Sequence, residues 1–212
     1  MTTSLTVPRR FAALAAALAA TTLLGACAPL LVGGAMAGTA LMVTDRRTSG
    51  TQVEDQAIEL KALTRVREAI GERGHVVTTS YNRLVLLTGE VPSEADKAAV
   101  EQAIAKIENV RTIVNELAVM GSTSLTSRSN DAILTSKVKA SFVDAKDLFA
   151  NAFKVVTERG TVHLMGRVTE REATRATDIA RGVSGVQKVV RVLEVISEAE
   201  LADTQPKQAQ KP

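Results

Sequence analysis

Cys27 is the one thiol in 212 residues, and its neighbours define the chemistry open to it. Leu24-Gly25-Ala26 precede it, which puts a Leu three positions back with two small residues between. A thiol in that setting can accept a diacylglycerol group. The small neighbours give a signal peptidase room to cut before the cysteine and expose an amine for an N-acyl chain. Pro8-Arg9-Arg10 supplies a basic end, and residues 11–24 form an Ala- and Leu-rich run that is short for a membrane span. Arg9-Arg10-Phe11 lacks the rest of a twin-arginine consensus, so a general secretory signal is expected. An ordinary signal with a chance cysteine is the weaker reading. An exported chain with one unpaired thiol is explained when that thiol is acylated, and several acyl chains on one residue give stable anchoring.

No other residues reproduce a catalytic pattern. His75 opens a predicted strand and His163 lies inside another, at non-equivalent places and without metal-ligand or triad spacing. There is no Gly-x-Ser-x-Gly elbow and no phosphate loop. Gly71-Glu72-Arg73-Gly74 reads as a helix-ending turn, and Glu170 and Glu172 are accounted for by helix capping. Aromatic residues make up 2% of the chain, with no Trp, so a core of Val, Ile, Leu and Ala is expected and a large aromatic pocket is not. The formal charge is +3. Loss of Arg9 and Arg10 with the signal would leave 24 of the 26 basic residues against 23 acidic ones. That balance argues against nucleic acid as a partner. The sequence therefore predicts no enzyme, no small-molecule substrate, no metal and no cofactor beyond the diacylglycerol and N-acyl chain on Cys27.

The mature part is built as an internal repeat. Leu84-Val85-Leu86-Leu87-Thr88-Gly89-Glu90-Val91 aligns with Thr161-Val162-His163-Leu164-Met165-Gly166-Arg167-Val168. Further on, Glu108-Asn109-Val110 matches Ser184-Gly185-Val186. Each copy opens with an amphipathic helix, carrying Ile58, Ala62, Val66 and Ala69 or Leu134, Val138 and Phe142 on one face. A hairpin follows, with strands at 76–80 and 84–88, or 153–157 and 161–165. Its turn is Tyr81-Asn82-Arg83 or Glu158-Arg159-Gly160. Gly89 and Gly166 mark a bend or a close backbone approach. A second helix starts at Ser93-Glu94-Ala95-Asp96 or at the capping box Thr169-Glu170-Arg171-Glu172. A third strand closes each unit, with Ile113, Leu117 and Val119, or Val189, Leu193 and Val195, on one face. The fold class is α+β, each copy running α-β-β-α-β, with a three-stranded mixed sheet covered by two helices.

This order, with Gly89-Glu90-Val91 and Gly166-Arg167-Val168 after the second strand, resembles the BON domain. A signal ending at Cys27 followed by two such domains is similar to the dual-BON outer-membrane lipoproteins. So are Thr44-Asp45-Arg46-Arg47, Val168-Thr169-Glu170-Arg171-Glu172-Ala173 and Val183-Ser184-Gly185-Val186. Ala28 after the cysteine, where an Asp would retain a lipoprotein in the inner membrane, fits outer-membrane sorting. The expected organisation is a signal peptide at 1–26, an acylated Cys27 and tether at 27–54 with a turn-rich linker at 45–50, a first BON domain at 55–121, a second at 130–198, and a disordered tail at 199–212. Gly34 and Gly38 stand at helix-packing spacing within the tether.

The resemblance implies a non-enzymatic protein in the outer membrane, facing the periplasm. It would bind anionic phospholipid through the second domain and support envelope integrity at the division site. Contacts with outer-membrane assembly or septal wall-splitting proteins are also implied. Two other readings stay open: a regulator of cell-wall amidases and a periplasmic chaperone. Charge is consistent with the lipid reading, since residues 57–120 carry 8 basic and 9 acidic groups and residues 130–197 carry 11 and 8. Ile133, Lys137, Lys139 and Val143 are the expected lipid contacts, with Phe142 and Phe149 beside them. Members of the family carry a Trp where this chain has Ile133. Gly89, Gly166 and Gly185 are expected to be structural glycines.

Overall fold

A computed structural model describes residues 45–204. The signal peptide, Cys27, the glycines of the tether and the segment from 205 onward lie outside the described residues.

The first half opens with α1, Ser49–Ile70, capped by Thr48, whose hydroxyl accepts from the Thr51 amide at 3.1 Å. Ile58, Ala62 and Ile70 form its buried face. Strands β1, His75–Tyr81, and β2, Leu84–Val91, pair antiparallel through a two-residue turn. Asn82 and Arg83 both take positive φ, 51° and 64°, the primed turn that matches strand twist. Helix α2, Glu94–Ala105, is capped by Ser93 and carries the chain across to a strand parallel to β2. That last strand is interrupted, as β3, Thr112–Asn115, and β4, Ala118–Val119. Its register against β2 is kept, with Leu87 opposite Asn115 and Glu90 opposite Ala118. At the break the Asn115 side-chain oxygen accepts from the Leu117 amide at 3.2 Å.

The second half repeats the plan. Helix α3, Leu125–Asp144, and a short 3-10 turn, Ala150–Ala152, lead into β5, Phe153–Glu158, and β6, Thr161–Val168. Helix α4, Glu170–Gly182, has the full capping box between Thr169 and Glu172. Strand β7, Lys188–Val195, runs parallel to β6 in an unbroken ladder.

Each sheet has a helix-covered face and a second face that meets the other sheet. Val85, Leu87 and Val91 point to the helices of the first half, and Val162, Leu164 and Val168 to those of the second. Between them, Tyr81 and Leu86 pack against Met165 and Val192 in a shared core. The central strands are thus buried on both sides, as their near-continuous apolar runs require. Fully burying a side chain such as Leu86 contributes about 2 kcal/mol. All described residues belong to one compact unit.

Three expectations are corrected. Residues 45–50 are not a free linker. Arg46 donates to both Glu172 oxygens at 2.7 Å and to the Arg167 carbonyl at 3.0 Å, while Arg47 pairs with Asp45 and Asp55 and lies 4.3 Å from the Tyr81 ring centre. Buried pairing of this kind outweighs the local turn composition. Residues 198–204 form a short helix, α5, Glu198–Thr204, with Leu201 buried, so a disordered tail does not begin at 199. Val119 and Val195, expected on the core face, are 39% and 51% exposed because they end their strands beyond helix cover.

Gly89 and Gly166 lie inside β2 and β6, with no bend ending the strands there. A Cβ at either would collide with a carbonyl oxygen, that of His75 or of Ala152, so side-chain absence sets how closely the neighbouring strand approaches. Gly185 has φ 103° and sits against Leu134.

Candidate membrane-facing site

Helix α3 exists because Leu134, Val138 and Phe142, four residues apart, stack on one face and enter the second core. Asp131 lies on that same side. It accepts from the Arg159 and Gly160 amides at 2.9 Å each, fastening the helix to the β5–β6 turn. With about 100° per residue, the remaining surface of α3 is fixed by these anchors. Leu125 and Val143 fall at the same azimuth, and Ile133 lies about 80° round from them. These three are 78%, 71% and 55% exposed. Exposed Ala132, Ser136 and Ala140 fill the stripe between them.

Lys137 and Lys139 border that stripe on opposite sides, about 160° apart. Both are exposed, and neither pairs with a carboxylate among the described residues. From Ala132 to Val143 the helix has no acidic residue. On one flank, Ile133 and Lys137 line a groove of about 510 Å³ with Ser127, Asn130, Arg159 and Gln187. Arg159 has no carboxylate partner among the described residues; its guanidinium touches the Met120 sulfur. On the other flank, Lys139 and Val143 line a cleft of about 350 Å³ with Asp45, Arg47 and Lys154. Lys154 is already paired with Glu59 at 2.7 Å.

The structure thus brings Ile133 together with Lys137, and Val143 with Lys139, at the two margins of one exposed stripe. Phe149 is 52% exposed just past the helix end. Phe142 is placed differently from its expected role: it is 1% exposed and packs edge-on against Phe153 at 5.4 Å, so it belongs to the core. Its spacing with Leu134 and Val138 already carried that signal. Leu125 and Arg159 escaped the sequence reading. Leu125 was legible as the start of the same stripe, five whole turns before Val143. Arg159 becomes a neighbour of Lys137 only through the hairpin turn.

His75 and His163 fall at non-equivalent places in the two hairpins, His75 opposite Glu90 at the start of β1 and His163 opposite Val156 within β6. His163 is 3% exposed on the face between the sheets, with its Nε2 4.0 Å from Glu116. Burial pushes its imidazole below the ordinary range, with Glu116 opposing. Among the described residues no group of three His, Cys, Asp or Glu side chains could hold a metal ion. No described helix is long and apolar enough to cross a membrane.

Comparison with known proteins places this arrangement. The BON domain model matches residues 55–121 and 130–197. The chain is 40% identical over 187 residues to the "Outer membrane lipoprotein DolP" of Haemophilus influenzae, covering 86% of this chain and 95% of that protein. It is 29% identical over 154 residues to a "21 kDa hemolysin" of Actinobacillus pleuropneumoniae, covering 72% and 79%. A solved structure of CdsD, a type III secretion protein of Chlamydia trachomatis, aligns over 71% of this chain and 98% of its own, at 12% identity and a TM-score of 0.28. Two repeats of one α-β-β-α-β unit, both matched by the same model, and a relative spanned almost end to end lead to one conclusion: the chain belongs to the BON-domain family, as a two-domain outer-membrane lipoprotein.

Proposed function

We propose that the outer face of α3 binds anionic phospholipid, and that the protein is a non-enzymatic scaffold supporting envelope integrity, at the division site in particular. The observation that carries this is the exposed aliphatic stripe of Leu125, Ile133 and Val143, bordered by two lysines that pair with no carboxylate among the described residues and without an acidic residue between Ala132 and Val143. Aliphatic groups on such a face enter the acyl boundary, and each flanking cation gains roughly 1 kcal/mol near an anionic surface. Asp45, where the tether joins the fold, shares the cleft of Lys139 and Val143. A membrane that holds Cys27 would therefore present lipid to this face at high effective concentration.

The test is vesicle sedimentation of the two-domain chain carrying Cys27→Ser, with vesicles of neutral or anionic lipid. Lys137→Glu with Lys139→Glu changes the charge by four units beside the stripe. It should lower affinity for anionic vesicles at least tenfold and leave the melting temperature unchanged, since both side chains are exposed. Added salt should weaken wild-type binding in parallel, exposed charges being screened within about 10 Å. Equal binding by wild type and variant would remove α3 as the lipid face.

A second reading rests on α1. Its outer side exposes Val53, Leu60 and Leu63 by 66%, 68% and 63%, and both Glu and Lys residues border them. A mixed-charge apolar face suits protein contact better than lipid. Outer-membrane assembly proteins and septal wall-splitting amidases, which the chain would regulate, are the partners this face would serve; a chaperone role would use it for unfolded clients.

A further inference from the structure

The exposed surface beside α3 does not end at the second half. Arg159, on the β5–β6 turn, lines the same groove as Ile133 and Lys137. Its guanidinium touches the sulfur of Met120, and Met120 belongs to the first half. Met120 directly follows β4 and is 39% exposed. Strand alternation decides which way it faces. Val119 stands opposite Val91, whose side chain enters the helix-covered core of the first half. The next residue, Met120, therefore turns to the other side of its sheet, where the second half lies.

The segment that joins the halves is fastened at three points. The Met120 amide donates to the Val91 carbonyl at 2.9 Å. The Thr123 amide and hydroxyl donate to the buried Glu90 carboxylate at 3.2 and 3.3 Å. Ser124 caps α3, its hydroxyl accepting from the Ser127 amide at 3.2 Å. Met120 at one end and the exposed Leu125 at the other are thus held as parts of one surface. Exposed charge beside this surface is basic. From Leu117 to Asn130 the chain carries Arg128 and no acidic residue. Asp131, the carboxylate that lines the groove, is buried and occupied by the Arg159 and Gly160 amides. Glu158, next to Arg159 in the chain, has one carboxylate oxygen buried in the fold. Lys137 and Arg159 are left as the exposed cations beside Ile133 and Met120.

We propose that Met120 enters the acyl boundary of the same membrane that α3 meets, so that both BON domains form the lipid-facing surface, with Arg159 set between them for a lipid phosphate. The inference rests on the lipid reading of α3 and extends it across the domain junction. An unbranched thioether adapts to irregular packing, and a guanidinium presents a planar fork of donors that matches phosphate. A single helix lying on a membrane is free to roll about its axis. A second contact on the other half stops that roll and fixes how the protein stands on the bilayer.

The experiment uses the full acylated chain reconstituted into vesicles of phosphatidylcholine, with or without phosphatidylglycerol. The chain has no Trp, so Met120→Trp and Ile133→Trp each supply a single indole, and brominated acyl chains are the quencher. With phosphatidylglycerol present both indoles should be quenched, and Lys137→Glu with Lys139→Glu should reduce the quenching of both. Quenching in Ile133→Trp with none in Met120→Trp would overturn the inference and leave α3 as the lipid face. No quenching in either would remove the lipid reading, and the inference with it. Quenching in Met120→Trp alone would contradict one shared surface. Sedimentation of the Cys27→Ser chain gives an arm that needs no indole. Met120→Glu places a carboxylate within reach of Arg159, and should lower affinity for anionic vesicles about fivefold at an unchanged melting temperature. Affinity equal to that of the Cys27→Ser parent would overturn the proposal.

Discussion

Asp55 and Asp131 stand at equivalent places near the start of each repeat's first helix, and each fastens that helix to the hairpin turn of its own half. Asp55 accepts from the Ser80 hydroxyl at 2.6 Å and from the Asn82 and Arg83 amides at 2.8 Å. Burial pushes its carboxyl up, but these donors and Arg47 together hold it below the ordinary range. Asp131 does the same for Arg159 and Gly160. Asp131→Ala would leave two turn amides without an acceptor, at a cost of about 2 kcal/mol, or about 6 °C in melting temperature. A calorimetric scan decides this, and a melting point within 1 °C of wild type would show the turn to be self-sufficient. These aspartates were not legible as fasteners, because their partners lie more than twenty residues away and only the hairpin brings them back. The primed turns were legible in part: Gly160 suits a positive φ, whereas Asn82 and Arg83 reach it only with the support of Asp55.

At the level of elements, helices and strands followed from periodicity and capping. The box Thr169-Glu170-Arg171-Glu172 stands where α4 begins, and Leu134, Val138 and Phe142 mark the inward face of α3. Alternation was less informative for β2 and β6, because both of their faces are buried and the apolar run does not alternate. That run, Leu84-Val85-Leu86-Leu87, was the trace of a second packing layer. Glu172 shows how an element signal can carry a second role. It closes the capping box and also receives Arg46, whose pairing outweighs the effect of burial and holds the carboxyl below its usual range. A turn-rich composition at 45–50 gave no hint of that pairing, since the partner belongs to the other half. The exposed stripe is in turn the complement of the α3 core stripe. Once Phe142 is assigned to the core, Leu125, Ile133 and Val143 are what the helix presents outward.

The described residues form two domains with one shared core. Met165 and Val192 from one sheet cover Tyr81 and Leu86 from the other, so either half alone would expose an apolar sheet face. Met165→Ala, at a fully buried position, should cost about 3 kcal/mol. It should also reduce hydrogen-exchange protection in β2 as well as in β6. Loss confined to β6 would mean that the halves fold independently. Helix α3 is held by the second half, while Arg46 and Arg47, at the tether junction, pair with Glu172 of the second half and Asp55 of the first, Arg47 sharing a cleft with Lys139. The chain contains no Trp, which makes one measurement on the intact two-domain protein unusually direct. Ile133→Trp places the only indole on the exposed stripe, at a site where the added bulk meets solvent. On adding anionic vesicles its emission should shift to the blue, brominated acyl chains should quench it, and neutral vesicles should do neither. An emission that stays at its aqueous wavelength while the protein sediments with the vesicles would contradict the central claim, because the membrane would then be held by another face.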